Sequence, residues 1–541
     1  MKKNLQKVAA LGLSLAMALP MAVSAEGSVP VSAKGELPIV EEPVTLKIFM
    51  SQEPSVTDYV DNKLTKYLEE QTGIHVEWEL VPVQDREQKL NLLLASGENL
   101  PDIIMGGISN DLIVQYADQG VFLPIQDLLE EHSVYYKDVL ANYDGMEEIM
   151  TAPDGNFYSF QQVSDSVPNS YAIRCWINQN WLDNLGLEMP KTKDEFVEVL
   201  RAFKEKDPNG NGIQDEIPVM GSTNGWHSLF DQWFITNYVP YNKDDTFLVD
   251  GDGKVTPSFI NDRYREALIA LNELIAEGLY DPASYTQENE QLKQAFEAGI
   301  VGVIPGGGPN SFANLSGDMY RNYVALEPID CGYGQIAYHN QYSYLMYRNT
   351  AVITTACENP EAAVKWLDYM FSEDISMRGR LGEPEVDWLK AKEGEVGVDG
   401  QPALYTAVLN WGEQQNSHWA GYMPYMENFA DRCVATGDPF ELQQYLWDAT
   451  EDHYKPYTME NAGWHVLPGV MYTAEDAKQI NEIWTVMKNF VNESRAGFTT
   501  GAMDPADDKA WESYLEELNK QGLETLLNIY QTRYDELYKA E

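Results

Sequence analysis

The segment VTLKIFM at residues 44–50 alternates apolar with polar side chains, and this alternation predicts a β-strand. Apolar residues at helical spacing follow between positions 60 and 68 and stop before a glycine, which predicts a helix. The pattern then repeats, with a strand predicted at 74–82, a helix at 86–95 and a strand at 101–105. The order β-α-β-α-β is typical of a mostly parallel sheet with helices on both faces, which binds ligands beyond the carboxyl ends of its strands. We therefore expect an α/β fold.

Later segments extend this pattern. Helices are predicted at 193–206 and 262–277, and a hairpin-like turn, DGDG, lies between them at 250–253. A further strand is predicted at 300–304, where the chain runs into a proline and three glycines. Beyond Tyr472 the pattern is helical to the end. The length of 541 residues indicates two or more domains.

The N-terminal segment and the charge of the chain predict an exported protein. Residues 1–25 contain three lysines, then an apolar run, and end in Val-Ser-Ala, which is the pattern of a cleaved signal peptide. Removing three lysines and no acids lowers the formal net charge from −48 to −51, and this charge disfavours binding to nucleic acid or to anionic membranes. We expect the protein at the periplasmic or extracellular face of the cell envelope.

The sequence lacks the short motifs of common catalytic, zinc and lipid-anchor sites. It has no H-E-x-x-H, G-x-S-x-G, P-loop or G-x-G-x-x-G motif, which weakens the hypothesis of an enzyme without removing it. Its four cysteines form no C-x-x-C pair, so a zinc site is disfavoured and disulfide pairing stays open. No cysteine lies directly after the apolar run of residues 8–23, which is the position at which many exported bacterial binding proteins are lipidated.

The segment DPNGNGIQDEIP at residues 207–218 is rich in oxygen-bearing side chains and predicts a calcium loop. Calcium takes six to eight oxygen ligands at flexible angles, and the glycines let the chain fold tightly around an ion. The match to an EF-hand covers the first half only, because the twelfth position is Pro218 and not Glu. A turn without an ion is the alternative, since Asn and Gly are common turn residues. The candidate ligands are Asp207, Asn209, Asn211, Asp215, Glu216 and the carbonyl of Ile213.

Aromatic residues in polar, loop-like surroundings predict a carbohydrate site. Trp and Tyr offer a flat apolar face and a polar edge, which suit the CH groups and the hydroxyls of a sugar ring. Core packing between helices is the alternative for each of them. Arg174 is a further candidate, because we expect a local positive pocket around it in this otherwise acidic protein. The candidate ligand-binding residues are Trp226, His227, Trp233, Trp411, Trp419, Tyr422, Trp464 and Arg174.

Several runs in this order also resemble a known family. They are LASGENLPDII at 94–104, WLDNLGLEMPKTKDEF at 181–196, the DPNGNG loop, NPEAAVKWLDY at 359–369, and FTTG at 498–501 before WESYLEEL at 511–518. With them the chain resembles the bacterial extracellular solute-binding proteins of family 1. The likeness is strongest to long members that resemble alginate- and other oligosaccharide-binding components of ABC importers.

The resemblance implies a two-lobed, periplasmic-binding-protein-like α/β fold of type II, whose lobes are joined by hinge crossings and close on a ligand. It also implies that Ca²⁺ is a structural ion in the loop at 207–216. The expected organisation is a signal peptide at 1–25, a linker at 26–43, a first lobe at 44–165 plus about 305–375, a second lobe at about 166–304 plus 376–472, and C-terminal helices at 473–541 packed on the lobes.

The function that we expect is that of a receptor without enzymatic activity. It would be a monomer that captures an oligosaccharide in the cleft between the lobes and delivers it to the membrane permease of an ABC importer. Two alternatives stay open at this stage. One is a receptor of the same fold for a peptide or another solute, and the other is a secreted carbohydrate hydrolase or lyase.

Overall fold

The computed structural model describes residues 29–243, 246–342, 350–409 and 414–539, so the predicted signal peptide at 1–25 and the candidate Trp411 lie outside the described residues. The described strands are β1 (Val44–Gln52), β2 (Ile74–Pro82), β3 (Ile103–Met105), β4 (Ser159–Phe160), β5 (Val163–Ser164), β6 (Cys175–Asn178), β7 (Ile217–Val219), β8 (Phe247–Val249), β9 (Val255–Pro257), β10 (Val301–Pro305), β11 (Tyr323–Leu326), β12 (Ala351–Ile353), β13 (Trp388–Lys390), β14 (Tyr405–Ala407), β15 (Met426–Glu427) and β16 (His465–Val466).

The described helices alternate with these strands in the first half of the chain and dominate its end. They are α1 (Lys63–Thr72), α2 (Arg86–Ser96), α3 (Asn110–Asp118), α4 (Gln126–His132), α5 (Tyr135–Asn142), α6 (Met146–Met150), α7 (Val167–Ser170), α8 (Gln179–Leu185), α9 (Lys193–Glu205), α10 (Phe230–Thr236), α11 (Asp262–Ala276), α12 (Asn289–Glu297), α13 (Pro360–Tyr369), α14 (Glu373–Leu381), α15 (Leu442–His453), α16 (Ala474–Thr500), α17 (Asp508–Lys520) and α18 (Leu523–Tyr538). Among the residues described, no helix combines the length and the apolar character needed to cross a membrane.

The first lobe is built on a five-stranded sheet of order β2-β1-β3-β12-β4. Strand β1 pairs in parallel with β2 and β3, which confirms the predicted β-α-β-α-β unit. Helix α1 ends where Gly73 adopts a φ of 74° and its N–H donates to the carbonyl of Glu69. A glycine takes this left-handed conformation without a steric penalty, so it stops the helix and turns the chain into β2.

The second lobe has its own sheet and its own core. Its four strands lie in the order β11-β6-β10-β7, with β10 parallel to β7 and antiparallel to β6. Phe196 and Phe203 on α9 and Leu271 on α11 are fully buried in one cluster with Trp176 of β6. Separate buried clusters lie on the two faces of the first sheet, and one of them includes Ile48 of β1. Two main sheets, each with its own buried clusters, make the molecule two-lobed.

The C-terminal helices pack on the second lobe. Met487 and Phe498 on α16 and Leu518 on α17 are buried in the same core as the second sheet. Arg495 on α16 and Asp231 on α10 form a buried ion pair, with Arg495 Nε 3.0 Å from Asp231 Oδ2. Buried charges need such partners, so this pair fixes α16 to the lobe.

The first-lobe boundaries differ from those that the sequence suggested. Strand β11, at Tyr323–Leu326, pairs with β6 of the second sheet, so the part of 305–375 up to this strand belongs to the second lobe. Conversely Trp419, Met423 and Tyr425, within the range 376–472, are buried in the core of the first lobe. Only tertiary pairing across more than a hundred residues decides these assignments.

The segment that was predicted as a linker at 26–43 is packed on the first lobe over its described part. Ile39 and Val40 are buried in the first core, and the N–H of Ile39 donates to the carbonyl of Thr72 at 2.9 Å. Lys365 Nζ donates to the carbonyls of Ser32 and Ala33 at 2.9 and 2.7 Å. These contacts hold the segment in place, so it is part of the lobe.

Segments that cross between the lobes lie side by side. Strand β5 pairs in parallel with β15 at the first-lobe end of two crossings. Farther along, the N–H of Val167 donates to Asp431 Oδ2 at 2.8 Å, and the N–H of Asn340 donates to the carbonyl of Ser170 at 2.8 Å. Burial raises the pKa of Asp431 to about 7, against the opposing effect of its hydrogen bonds to Val167 and Ser166. The described parts of these segments thus support one another through hydrogen bonds.

Candidate functional site

The carboxyl ends of the parallel strands define one loop edge on each lobe. On the first lobe, β1 is followed by Glu53 and β3 by Gly106. On the second lobe, β10 is followed by three glycines at 306–308 and β7 by the segment 220–228. Ligands of open α/β sheets bind at this edge, so these segments are the first place to look for a site.

Trp226 forms an exposed aromatic platform on the second lobe. Its side chain is 38% exposed, and its indole lies so close to Gly307 that a Cβ at this glycine would overlap the ring. The carbonyl of Trp226 accepts the N–H of Gly307 at 2.9 Å. His227 adopts a positive φ of 51°, and its ring centroid lies 6.2 Å from that of Trp226. The glycine therefore allows a flat ring to lie at the strand end, where one of its faces can meet a ligand.

Tyr422 lies at the corresponding edge of the first lobe. Its hydroxyl donates to Glu53 Oε1 at 2.5 Å, and its ring would be 3.3 Å from a Cβ at Gly106. Gly106 has a φ of 97°, which other residues rarely adopt. Arg86 lies close to the same Cβ position, with its Nε 3.6 Å away, and its Nη2 donates to the carbonyl of Met105 at 3.2 Å. An aromatic ring, a carboxylate and a guanidinium thus meet at the end of β1 and β3.

Arg174 is a structural residue and not the centre of a positive pocket. It is fully buried, and its guanidinium donates to the carbonyls of Gly307 and Pro168 and to the hydroxyl of Thr450. Burial lowers the pKa of Arg174 to about 10. Its hydrogen bonds hold α7 and α15 beside the glycines at 306–308, so Arg174 supports the site from within the core.

Trp419 and Trp233 are core residues, which corrects their prediction as ligand-binding residues. Trp419 has no exposed surface, its Nε1 donates to Thr65 Oγ1 at 2.9 Å, and its ring centroid lies 4.9 Å from that of Trp78. Trp233 packs in the second core, and its ring centroid lies 5.8 Å from those of Phe196 and Phe230. Neighbours from distant segments cover both rings, and nothing in the flanking residues indicates this.

Trp464 lies in the second lobe but is partly buried against its core. Its N–H donates to the carbonyl of Met459 at 3.2 Å, next to the short strand β16. Of the predicted ligand-binding residues, the structure brings Trp226 and His227 together on one lobe and places Tyr422 at the matching edge of the other.

The loop at 207–216 is folded around its own side chains. The N–H groups of Asn211 and Gly212 donate to the two carboxylate oxygens of Asp207 at 3.1 and 2.9 Å. The N–H of Ile213 donates to Asn211 Oδ1 at 2.6 Å, and Asn211 Nδ2 donates to Asp215 Oδ1 at 3.1 Å. The loop therefore turns most of its side-chain oxygens toward its own interior.

Glu216 is the unusual member of this loop. Both of its carboxylate oxygens are buried, and neither has a hydrogen-bond partner among the described residues. Burial raises the pKa of Glu216, and the charges of Asp207 and Asp215 raise it further. A buried carboxylate beside two others is costly without a cation, so the donor set fits a hard ion such as Ca²⁺. By the geometry of acidic, His and Cys side chains alone, the described residues contain no preassembled metal cluster.

Sequence reasoning missed Glu53, Arg86 and Gly106. Each follows a strand of the first sheet directly or within a few residues, and the rule of carboxyl ends could have singled them out. The number of acidic residues hid Glu53, because 85 carboxylates give no contrast in composition.

A profile of the family described as bacterial extracellular solute-binding protein matches residues 53–377. The fructooligosaccharide ABC transporter substrate-binding protein FusA of Streptococcus pneumoniae serotype 4 is 29% identical over an alignment of 522 residues that covers 93% of this chain and 92% of FusA.

Solved structures agree with these sequence matches. FusA in complex with kestose has a TM-score of 0.71 at 27% identity, over 92% of this chain and 100% of that chain. A FusA EF-hand mutant in complex with fructo-nystose has the same TM-score at 26% identity, with the same shares of both chains covered. An HMO-binding, ABC-transporter-associated solute-binding protein from Bifidobacterium longum infantis has a TM-score of 0.74 at 20% identity, over 93% and 100% of the chains, and supports the fold alone.

Proposed function

Because this chain belongs to the bacterial extracellular solute-binding proteins, we propose that it captures an oligosaccharide between its lobes and delivers it to an ABC importer. The likeness to FusA over nearly the whole chain supports the transport role and the sugar class. The structural observation that carries the sugar assignment is the exposed indole of Trp226 at the strand ends of the second lobe. Its flat apolar face suits the CH face of a sugar ring.

The binding step follows from the two-lobed architecture. Trp226 lies on one lobe and Tyr422 on the other, so a ligand that touches both favours the closed arrangement of the lobes. Isothermal titration calorimetry with a panel of oligosaccharides, kestose among them, tests this proposal when it is combined with small-angle X-ray scattering. We expect binding of one ligand per chain and a smaller radius of gyration in its presence. Binding of peptides alone would favour the alternative receptor instead.

Absence of turnover is the second part of the proposal. The relative FusA is a substrate-binding protein, which supports a receptor that releases its ligand unchanged. We expect no increase in reducing ends when the protein is incubated with the oligosaccharide that it binds. A steady release of reducing ends would contradict the receptor and favour the secreted hydrolase or lyase.

Replacing Trp226 by alanine is expected to weaken oligosaccharide binding about 30-fold, which corresponds to about 2 kcal/mol. The exposed ring supplies contact area to the ligand and little to the core, so the thermal stability of the variant should stay close to that of the wild type. Calorimetry and thermal unfolding measure the two effects. Val486→Ala removes another exposed apolar side chain, on α16, and is the matched control. Equal affinities of Trp226→Ala and Val486→Ala would contradict a ligand role for the indole.

We also propose that the loop at 207–216 binds Ca²⁺ as a structural ion, with Asp207, Asn209, Asn211, Asp215, Glu216 and the carbonyl of Ile213 as ligands. The partnerless carboxylate of Glu216 supports this, as does the existence of an EF-hand in the relative FusA. A bound ion would neutralise the acids and fix the loop that follows α9. Its contribution would be to stability and not to chemistry at the sugar.

Calcium is expected to raise the stability of the chelator-treated protein. Free Ca²⁺ at 1,000 times its dissociation constant should add about 4 kcal/mol to the free energy of unfolding. Differential scanning fluorimetry over a calcium titration measures the shift, and Glu216→Gln should reduce it strongly. Asp252→Asn, in the exposed hairpin between β8 and β9, is the control and should leave the shift unchanged. An unfolding temperature that ignores Ca²⁺ in the wild type would rule the site out.

The remaining parts of the proposal concern location and assembly. The family works outside the cytoplasm, and we propose that residues 1–25 act as its export signal in this chain. The partner that we propose is the permease of an ABC importer, and the name of FusA as an ABC transporter substrate-binding protein supports this. We propose that the protein is a monomer and that it binds no nucleic acid. Ca²⁺ is the one metal ion that we propose for it. Light scattering at the concentrations used for calorimetry tests the oligomeric state.

A further inference from the structure

Glu53 is held at the end of β1 by both its backbone and its side chain. Its N–H donates to the hydroxyl of Tyr59 at 3.0 Å, and its carbonyl accepts the N–H of Val56 at 3.1 Å. Its Oε1 accepts the hydroxyl of Tyr422 at 2.5 Å. Its Oε2 accepts no hydrogen bond from the described part of the chain. Since a carboxylate can accept about four hydrogen bonds, this one is oriented and still has acceptor capacity for a ligand.

Arg86 and Arg174 lie near the strand ends and both donate to oxygen atoms of the protein. Nη2 of Arg86 donates to the carbonyl of Met105 beside Gly106 and Tyr422, while its buried Nε has no hydrogen-bond partner among the described residues. Arg174 is buried among its three oxygen acceptors. The segments after the parallel strands and the glycine loop, namely 53–57, 83–85, 106–109, 220–228 and 306–311, contain no Lys or Arg.

Acidic residues, in contrast, do occur in these segments, namely Glu53 and Asp85. The whole chain carries a formal net charge of −48. A ligand carboxylate that entered the crevice would meet the charge of Glu53 at short range, and the segments just named contain no Lys or Arg to balance it. Like charges in a partly desolvated site repel strongly, whereas a sugar hydroxyl can donate to the same carboxylate.

We propose that Glu53 is a specificity-determining residue, whose carboxylate accepts hydroxyl groups of one sugar unit and excludes sugars that carry carboxylates. The ligand class is then a neutral oligosaccharide. This inference rests on the proposed oligosaccharide-binding function and narrows its ligand class. Tyr422 is the positioning residue, since its hydroxyl fixes the direction of the Glu53 carboxylate. Specificity of this kind comes from a built-in repulsion as much as from an attraction.

The test is calorimetric titration of the full mature protein and three variants. The probes are a set of neutral oligosaccharides that includes kestose, and trigalacturonate as a charged trisaccharide. The wild type should bind at least one neutral member and bind trigalacturonate at least about 100-fold more weakly. Glu53→Gln keeps the shape of the side chain and removes its charge. It should lower the affinity for the neutral ligand about 10- to 100-fold and reduce the difference in affinity between the neutral ligand and trigalacturonate.

Two further variants separate charge, orientation and fold. Glu77→Gln changes an exposed acid on β2 of the same sheet and should bind like the wild type. Tyr422→Phe should weaken the neutral ligand less than Glu53→Gln does and leave the preference for neutral sugars in place. Thermal unfolding of each variant shows whether the first lobe remains folded, since Glu53→Gln should melt within a few degrees of Glu77→Gln.

The contradicting outcomes are distinct. Equal binding of trigalacturonate and the neutral ligand by the wild type would overturn the specificity role, as would unchanged neutral binding by a folded Glu53→Gln variant. In both cases the protein would still be an oligosaccharide receptor. If the wild type bound no saccharide of the set, the proposed function and this inference would both fall.

Discussion

Replacing Arg495 by methionine is expected to lower the free energy of unfolding by about 3 to 5 kcal/mol. The guanidinium pairs with Asp231 at 3.0 Å in the second core, and the two oxygens of Asp231 also accept the hydroxyl of Tyr285 at 2.8 and 2.7 Å. Without Arg495 the carboxylate of Asp231 would be buried without a counter-charge. Urea-induced unfolding, followed by tryptophan fluorescence, measures the loss.

Two comparisons show whether the burial of the pair causes the effect. Arg201 on α9 forms an exposed ion pair with Glu277, so Arg201→Met should lower the free energy of unfolding by less than about 1 kcal/mol. The double variant Arg495→Met with Asp231→Leu removes both charges and should recover much of the stability lost by Arg495→Met alone. If Arg495→Met cost no more than Arg201→Met, the pair would not fix α16 to the lobe.

Replacing Trp419 by alanine is expected to destabilise the first lobe by about 3 to 5 kcal/mol. The ring is fully buried between Trp78 of β2 and Trp366 of α13, with centroids 4.9 and 6.2 Å away. Removing it leaves a cavity and takes away the hydrogen bond that Thr65 Oγ1 accepts, while the Thr65 hydroxyl still donates to the carbonyl of Tyr59 at 2.7 Å. Chemical denaturation measures the loss, and hydrogen exchange of β1 and β2 shows whether it is confined to the first lobe.

The comparison with Trp226→Ala separates a core tryptophan from a ligand-binding one. Trp419→Ala should mainly lower stability, whereas Trp226→Ala should mainly lower affinity. Trp419→Phe keeps most of the buried volume and should recover part of the stability. A Trp419→Ala variant with wild-type stability and no ligand binding would contradict the assignment of Trp419 to the core.

Local patterns predicted the elements well where one face of a strand or helix is buried. The alternation in 44–50 and the glycine that ends α1 are properties of neighbouring residues, and the structure confirms both. Lobe boundaries depend on pairing between distant segments. Strand β11 reads like any short apolar strand, and only its partner β6 assigns it to the second lobe.

The candidate site shows the same limit. Residues of the calcium loop are close in sequence, so their spacing was sufficient to propose them together. Trp226 and Trp419 both lie in polar segments rich in small residues, yet one lies on a glycine at the surface and the other is covered by two tryptophans. Which of the two is exposed depends on segments more than fifty residues away.

Helix α16 has a mechanical consequence for ligand capture. Near its start, Asn481 donates to Asp111 on α3 of the first lobe, and toward its end Arg495 is fixed to Asp231 of the second lobe. On α18, Arg533 donates to the carbonyl of Thr151 in the first lobe at 3.2 Å. The C-terminal helices therefore connect the two lobes through direct hydrogen bonds and an ion pair. Wide opening of the lobes would have to break these contacts, so we expect the empty receptor to sample a limited range of angles between its lobes.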